Sequence, residues 1–160
     1  MRHKGLLILL LILVLAGAGL IVFAYQFSLS ALDEPGRAET YLATQAKLWF
    51  VSRAARKGVP AGPVNDDSSV AVGGMIFRGE CASCHGIEGR KPTPIGQWMY
   101  PRTLDLGSRE VQQRTDAELF WIIKNGIRLS GMPGFGRIHS DEDIWHLAHY
   151  VRSLGAPPQH

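Results

Sequence analysis

The chain has 160 residues, 46% of them hydrophobic, and a formal charge of +3. With an apolar N-terminal run set aside, that length holds one small domain with a thin core. The surplus charge sits at Arg2 and Lys4 and at Arg53, Arg56 and Lys57, while residues 67–160 carry about ten acidic and about ten basic side chains. No basic stripe is left for a phosphate backbone, so nucleic acid is excluded as a partner.

Residues 6–27 form a run of about 22 without a charge. As a helix it spans about 33 Å, against a hydrocarbon core of roughly 30 Å. Arg2 and Lys4 ahead of the run predict a cytoplasmic start, with the rest of the chain emerging on the far side. A cleaved signal peptide would have a shorter apolar core of about 7–15 residues. Its cleavage site would be Ser28-Leu29-Ser30 before Ala31. The length of the run favours an uncleaved anchor over residues 1–32, and the lipid bilayer as a partner.

Residues 33–67 divide into a helix and a linker. Leu32 to Gly36 is a break, and Pro35 with Asp33 or Glu34 suits a helix start. Arg37 to Lys57 has no proline or glycine and predicts a helix with a rough apolar stripe. Three roles are open to it. It can rest, solvated, on the following domain. It can lie at a membrane surface, with Trp49 and Phe50 in the interface and its basic end on headgroups. It can dock a partner subunit. Gly58 to Ser69 is rich in proline, glycine and short polar residues and reads as a linker.

The remaining residues, 68–160, form the second domain. Val70 to Glu80 reads as a helix capped by Ser68 or Ser69. It leads into Cys81-Ala82-Ser83-Cys84-His85, the pattern C-x-x-C-H. Two thiols at that spacing reach both vinyl groups of one haem, and the histidine that follows falls under the iron. A closed zinc site needs four ligands, but there are no other cysteines, and the remaining histidines are scattered. A redox dithiol would need a βαβ setting, and no strands are predicted here. Ile87 to Gly107 is a glycine- and proline-rich loop with no helical period, long enough to wrap one side of a macrocycle. In it the carbonyl of Pro94 or Pro101 can accept the ring N–H of His85, and Trp98, Tyr100 and Arg102 are candidates to reach haem propionates. Thr115 to Asn125 is a helix with a Thr115/Glu118 capping box, stopped by Gly126. Leu129 to Gly136 is a glycine-proline loop that can hold Met132 away from any helix. Met75 lies on a helix, Met99 sits too near the motif, and His139 is the rival to Met132 as a ligand. Asp141 to Leu154 is the last helix, capped by Ser140 or Asp141 and ended by Gly155, Pro157 and Pro158. Its His146 and His149 read as surface or rim residues.

The C-x-x-C-H motif, the Gly-Met-Pro loop and the three flanking helices, from about Ser68 to Leu154, resemble a class I cytochrome c. This is the monohaem, His/Met-ligated type in a membrane-anchored bacterial form. The resemblance implies an all-α class I cytochrome c fold, here behind an N-terminal transmembrane helix. It implies one covalently bound haem c on Cys81 and Cys84, with His85 and Met132 as iron ligands. In the family, the helix face of Gly73 and Phe77 crosses the last helix closely, which makes Tyr150 its partner. The implied function is one-electron transfer rather than enzymatic turnover, with no small-molecule substrate. Its setting would be the periplasmic side of a bacterial inner membrane, and its partners a membrane-bound redox complex or other electron-transfer proteins. The alternatives are a haem-based sensor or peroxidase-like enzyme with a labile Met132, and a structural subunit of a redox complex.

Overall fold

A computed structural model describes residues 2–26, 30 and 32–155. The chain falls into two compact units, Met1–Asp33 and Glu34–His160. The first holds helix α1 (Arg2–Gln26). Within it Lys4–Tyr25 is long and apolar enough to cross a membrane, by length and composition, a test that a signal sequence also passes. The cleavage motif around Leu29 and the prolines at 157 and 158 lie outside the described residues.

Helices are the only regular elements among the described residues of the second unit, and the fold class is all-α. Helix α2 (Arg37–Ala55) comes first. Then α3 (Asp67–Glu80) starts at Asp66, whose carboxylate accepts from the Ser69 backbone N–H at 2.8 Å. The cap is therefore Asp66, not Ser68 or Ser69. Helix α4 (Ala82–His85) is the C-x-x-C-H turn itself. Two short helices follow, α5 (Pro94–Trp98) and α6 (Arg109–Gln112). The predicted loop thus contains a helical turn, because the Thr93 hydroxyl caps it and Pro94 supplies a preset φ at its first position. Helices α7 (Asp116–Asn125) and α8 (Asp141–Ser153) each begin with a full capping box, Thr115/Glu118 and Ser140/Asp143. Each box satisfies backbone groups at both of its ends, so both starts are set locally.

The core forms where α3 and α7 pack on α8. Phe77, Leu119, Phe120, Ile144, Leu147 and Val151 are all buried there. The crossing of α3 and α8 is close because Gly73 has no side chain. A Cβ there would overlap the His146 carbonyl and lie 2.9 Å from Cβ of Tyr150. Phe77 then stacks on Tyr150 with ring centroids 5.0 Å apart.

Two segments are tied down more firmly than their composition suggests. The proline-glycine stretch after α2 runs across the indole of Trp145, whose Nε1–H donates to the Pro60 carbonyl at 3.0 Å. A Cβ at Gly62 would meet that indole at 2.6 Å. Helix α2 packs on α7: Val51 and Ala55 are buried, and Ser52 donates to the Glu118 carboxylate. His149 is a further difference from the sequence reading. It is buried rather than at the rim, with its Nδ1 2.7 Å from the Ser69 hydroxyl. A serine facing it across the helix crossing allows an imidazole to sit there paired.

Candidate functional site

The C-x-x-C-H turn is built by hydrogen bonds that continue α3 past its end. The Cys81 N–H donates to the Phe77 carbonyl at 2.9 Å, and the His85 N–H donates to the Cys81 carbonyl at 2.9 Å. Cys81, Cys84 and His85 are all half-buried, and both cysteines are free thiols. Burial, reinforced by the charge of Glu80 and by Cys84, pushes the Cys81 thiol up to about 12.

The following loop is fastened to this turn. Thr93 donates its backbone N–H to the Cys84 carbonyl at 3.0 Å and its hydroxyl to the Ser83 carbonyl at 2.7 Å. Gly96 lies so close that a Cβ would overlap the Cys84 carbonyl. The return limb is pinned twice, by the Thr103 N–H to the Gly96 carbonyl at 3.0 Å and by the Leu106 N–H to the Gly89 carbonyl at 2.8 Å.

Between those pins the Leu104 carbonyl faces His85, with Nδ1 3.1 Å away. A carbonyl only accepts, so Nδ1 carries the proton and Nε2 keeps a free lone pair. Burial lowers the imidazole's pKa, with the Leu104 hydrogen bond opposing it, so the ring is neutral at physiological pH. The acceptor is therefore neither Pro94 nor Pro101. Pro94 opens α5, and it is the doubly pinned limb around residue 104 that passes His85. Any residue offers a carbonyl, so no side-chain signal pointed to Leu104. Of the propionate candidates, Tyr100 donates to Glu39 at 3.2 Å, Arg102 pairs with Glu34 at 2.6 Å, and Trp98 is exposed.

Met132 is half-buried against the core, in a loop clipped to the C-terminus of α7. The Ile127 N–H donates to the Met132 carbonyl at 3.2 Å, Phe135 N–H to Ile123 at 3.1 Å, and Gly136 N–H to Lys124 at 2.9 Å. Gly126, at φ 68°, and Gly134 interlock there. A Cβ on Gly126 would lie 2.6 Å from the Pro133 carbonyl carbon, and one on Gly134 would lie 2.6 Å from the Asn125 carbonyl. Met99, the other loop methionine, packs against Gly131 of this loop, and Thr103 donates to its sulfur at 3.8 Å. His139 is turned to carboxylates, with Nε2 3.7 Å from Glu80 and Nδ1 4.0 Å from Asp143.

Helix, cysteine turn, pinned loop, helix, methionine loop and last helix follow one another within residues 67–153. The family described as cytochrome C oxidase, cbb3-type, subunit III matches residues 68–151. The chain belongs to this family. Among solved structures, a chain of the Kuenenia stuttgartiensis reducing HAO-like protein complex is 25% identical with a TM-score of 0.53. That match covers 61% of this chain and 47% of the other, so this chain spans about half the length of that relative. Cytochrome CL of the marine methylotrophic bacterium Methylophaga aminisulfidivorans is 20% identical with a TM-score of 0.44, over 79% of this chain and 71% of its own. No curated protein matches this chain.

Membership in this cytochrome c family implies covalent haem c and an electron-carrying role. The residues present fit that group. The two thiols of the turn are free, the neighbouring imidazole is neutral with Nε2 available, and a thioether sulfur sits in a loop held by backbone bonds. Thioether formation leaves an uncharged sulfur, which suits the burial of Cys81.

Proposed function

We propose that residues 68–160 carry one haem c, bound through Cys81 and Cys84 and ligated by His85 and Met132. The protein then passes single electrons on the periplasmic side of a bacterial inner membrane, held there by α1 as an uncleaved anchor. Its partners are membrane-bound redox complexes or other electron-transfer proteins. The family description supports a place as a fixed subunit of a terminal oxidase.

The hydrogen bond between His85 Nδ1 and the Leu104 carbonyl carries this reading. It fixes the tautomer and aim of the imidazole and makes its Nε2 a stronger donor. When bound, haem supplies the one-electron iron couple. The protein sets the conditions for it. Half-burial of the turn lowers the local polarity, and the Met132 sulfur favours the reduced state, which raises the potential above that of a bis-histidine site. The backbone clips on the Met132 loop support a ligand that stays in place in both redox states. With His85 and Met132 both serving as ligands, a bound haem would offer no position to a substrate.

An absorption spectrum of the purified ferric holoprotein tests the assignment. A weak sulfur-to-iron charge-transfer band at its red end is expected, and it should vanish in Met132→His. Ready binding of carbon monoxide by the ferrous protein would overturn the carrier reading in favour of a sensor or peroxidase-like role. Copurification of other subunits in mild detergent tests the place in a complex.

A further inference from the structure

Helix α2 has two unlike faces. Its inner face packs on α7 through Val51 and Ala55, with Lys47 paired to Glu110 at 3.9 Å. At about 100° per residue, Leu42, Trp49 and Arg53 point the other way, with Phe50 beside them. Leu42, Trp49 and Phe50 are 66%, 55% and 62% exposed. Trp49 and Phe50 meet edge to face with centroids 4.8 Å apart, and the Arg53 guanidinium lies 5.5 Å from the Trp49 ring centroid. These aromatics are therefore ordered by one another and not by the core. Arg53, Arg56 and Lys57 are all exposed at the C-terminal end. Residues 40–65 contain no carboxylate, and Glu39, at the other end, is engaged by Tyr100.

We infer that this outer face of α2 seats on an anionic phospholipid surface. The aromatics enter the boundary between headgroups and acyl chains, and the three cations lie on the phosphates. Tryptophan and phenylalanine beside basic residues suit that boundary, where each ring finds an apolar side and each cation a charge partner. Aromatic and arginine side chains also serve protein interfaces. Two features select lipid. One is the unbroken absence of negative charge over residues 40–65. The other is covalent reach: the ten residues 27–36 between α1 and α2 extend to at most about 35 Å. An anchored α1 therefore keeps α2 within reach of the same bilayer. The inference rests on that anchored reading. Because the inner face is fixed to α7, seating the outer face sets how the haem domain stands on the membrane.

The test uses the full-length holoprotein in phosphatidylcholine vesicles with or without phosphatidylglycerol. A fluorophore is attached at Ala46→Cys, on the outer face, the native thiols being consumed by haem. With phosphatidylglycerol present, quenching by nitroxide lipids labelled near the headgroup and protection from aqueous iodide are expected. Arg56→Gln and Lys57→Gln should each lower the ratio of seated to lifted protein about fivefold at low salt, with the haem spectrum unchanged. A label open to iodide in both lipids, on protein that resists carbonate extraction, overturns this inference alone. Protection from iodide without quenching by lipid nitroxides identifies a protein cover and also overturns it. Release of the protein by carbonate overturns the anchor, and this inference with it.

Discussion

The Ser69 hydroxyl stands between two imidazoles, 2.7 Å from Nδ1 of His146 and 2.7 Å from Nδ1 of His149. It has one proton, so with neutral rings it donates to one nitrogen and accepts from the other, and the two rings take different tautomers. Ser69→Ala leaves both nitrogens without that partner. It should cost about 1–3 kcal/mol of stability, read from urea unfolding of the holoprotein. Burial lowers the pKa of His149, as does the neighbouring His146, while the carboxylates of Asp116 and Asp66 oppose them. The unfolded chain therefore binds a proton at higher pH than the folded one. Stability from this group is full above its ordinary value of 6.5 and falls as pH drops toward the lowered folded value. The urea midpoint should decline between about pH 7.5 and pH 5, and His149→Gln should flatten that slope.

At the scale of elements, backbone proximity decides which changes are tolerated. Gly73→Ala would drive a methyl into the His146 carbonyl, so α3 and α8 must part. A loss of about 3 kcal/mol or more is expected in denaturant titration, at the upper end for overpacking because backbone has to move. Gly134→Ala would press on the Asn125 carbonyl and lift the methionine loop from α7. It should weaken the charge-transfer band of Met132 while thermal unfolding shifts less than in the Gly73 variant. Val51→Asp would place a charge in the seam between α2 and α7, where Val51 is 2% exposed. Hydrogen exchange should then show α2 losing protection first, with the haem spectrum intact.

The same contrast explains what the sequence made legible. The Thr115/Glu118 capping box and the cysteine turn depend on residues a few positions apart, so spacing alone gave them. The last helix reads from sequence with a single cap at Ser140 or Asp141 and not with its Asp143 box, and the close crossing at Gly73 comes from the family resemblance. The burial of His149 depends on Ser69, 80 residues away, and the docking of the proline-glycine stretch depends on Trp145, 85 residues from Pro60. The proton acceptor for His85 is a main-chain carbonyl, which leaves no mark in residue type.

At the scale of the whole molecule, the residues proposed to hold haem all fall within residues 81–132. The site residues lie between α3 and α8, and Arg152 stitches the intervening chain to the last helix. Its guanidinium donates to the Gln112 carbonyl at 2.7 Å, the Arg114 carbonyl at 2.6 Å and the Asp116 carboxylate at 2.7 Å. Met132→His should accordingly keep the helical circular dichroism of the holoprotein and lower its midpoint potential, read by redox titration.

Gly73 admits the backbone of a helix more than sixty residues further along the chain. A polypeptide grows from its N-terminus, so α3 is made well before the thirteen residues of α8 that pack on it. Until those residues follow, the notch at Gly73 and the ring of Phe77 lack the Tyr150 contact that completes them. A chain cut short ahead of Asp141 would therefore leave one side of α3 bare, and the domain closes only when its two ends meet.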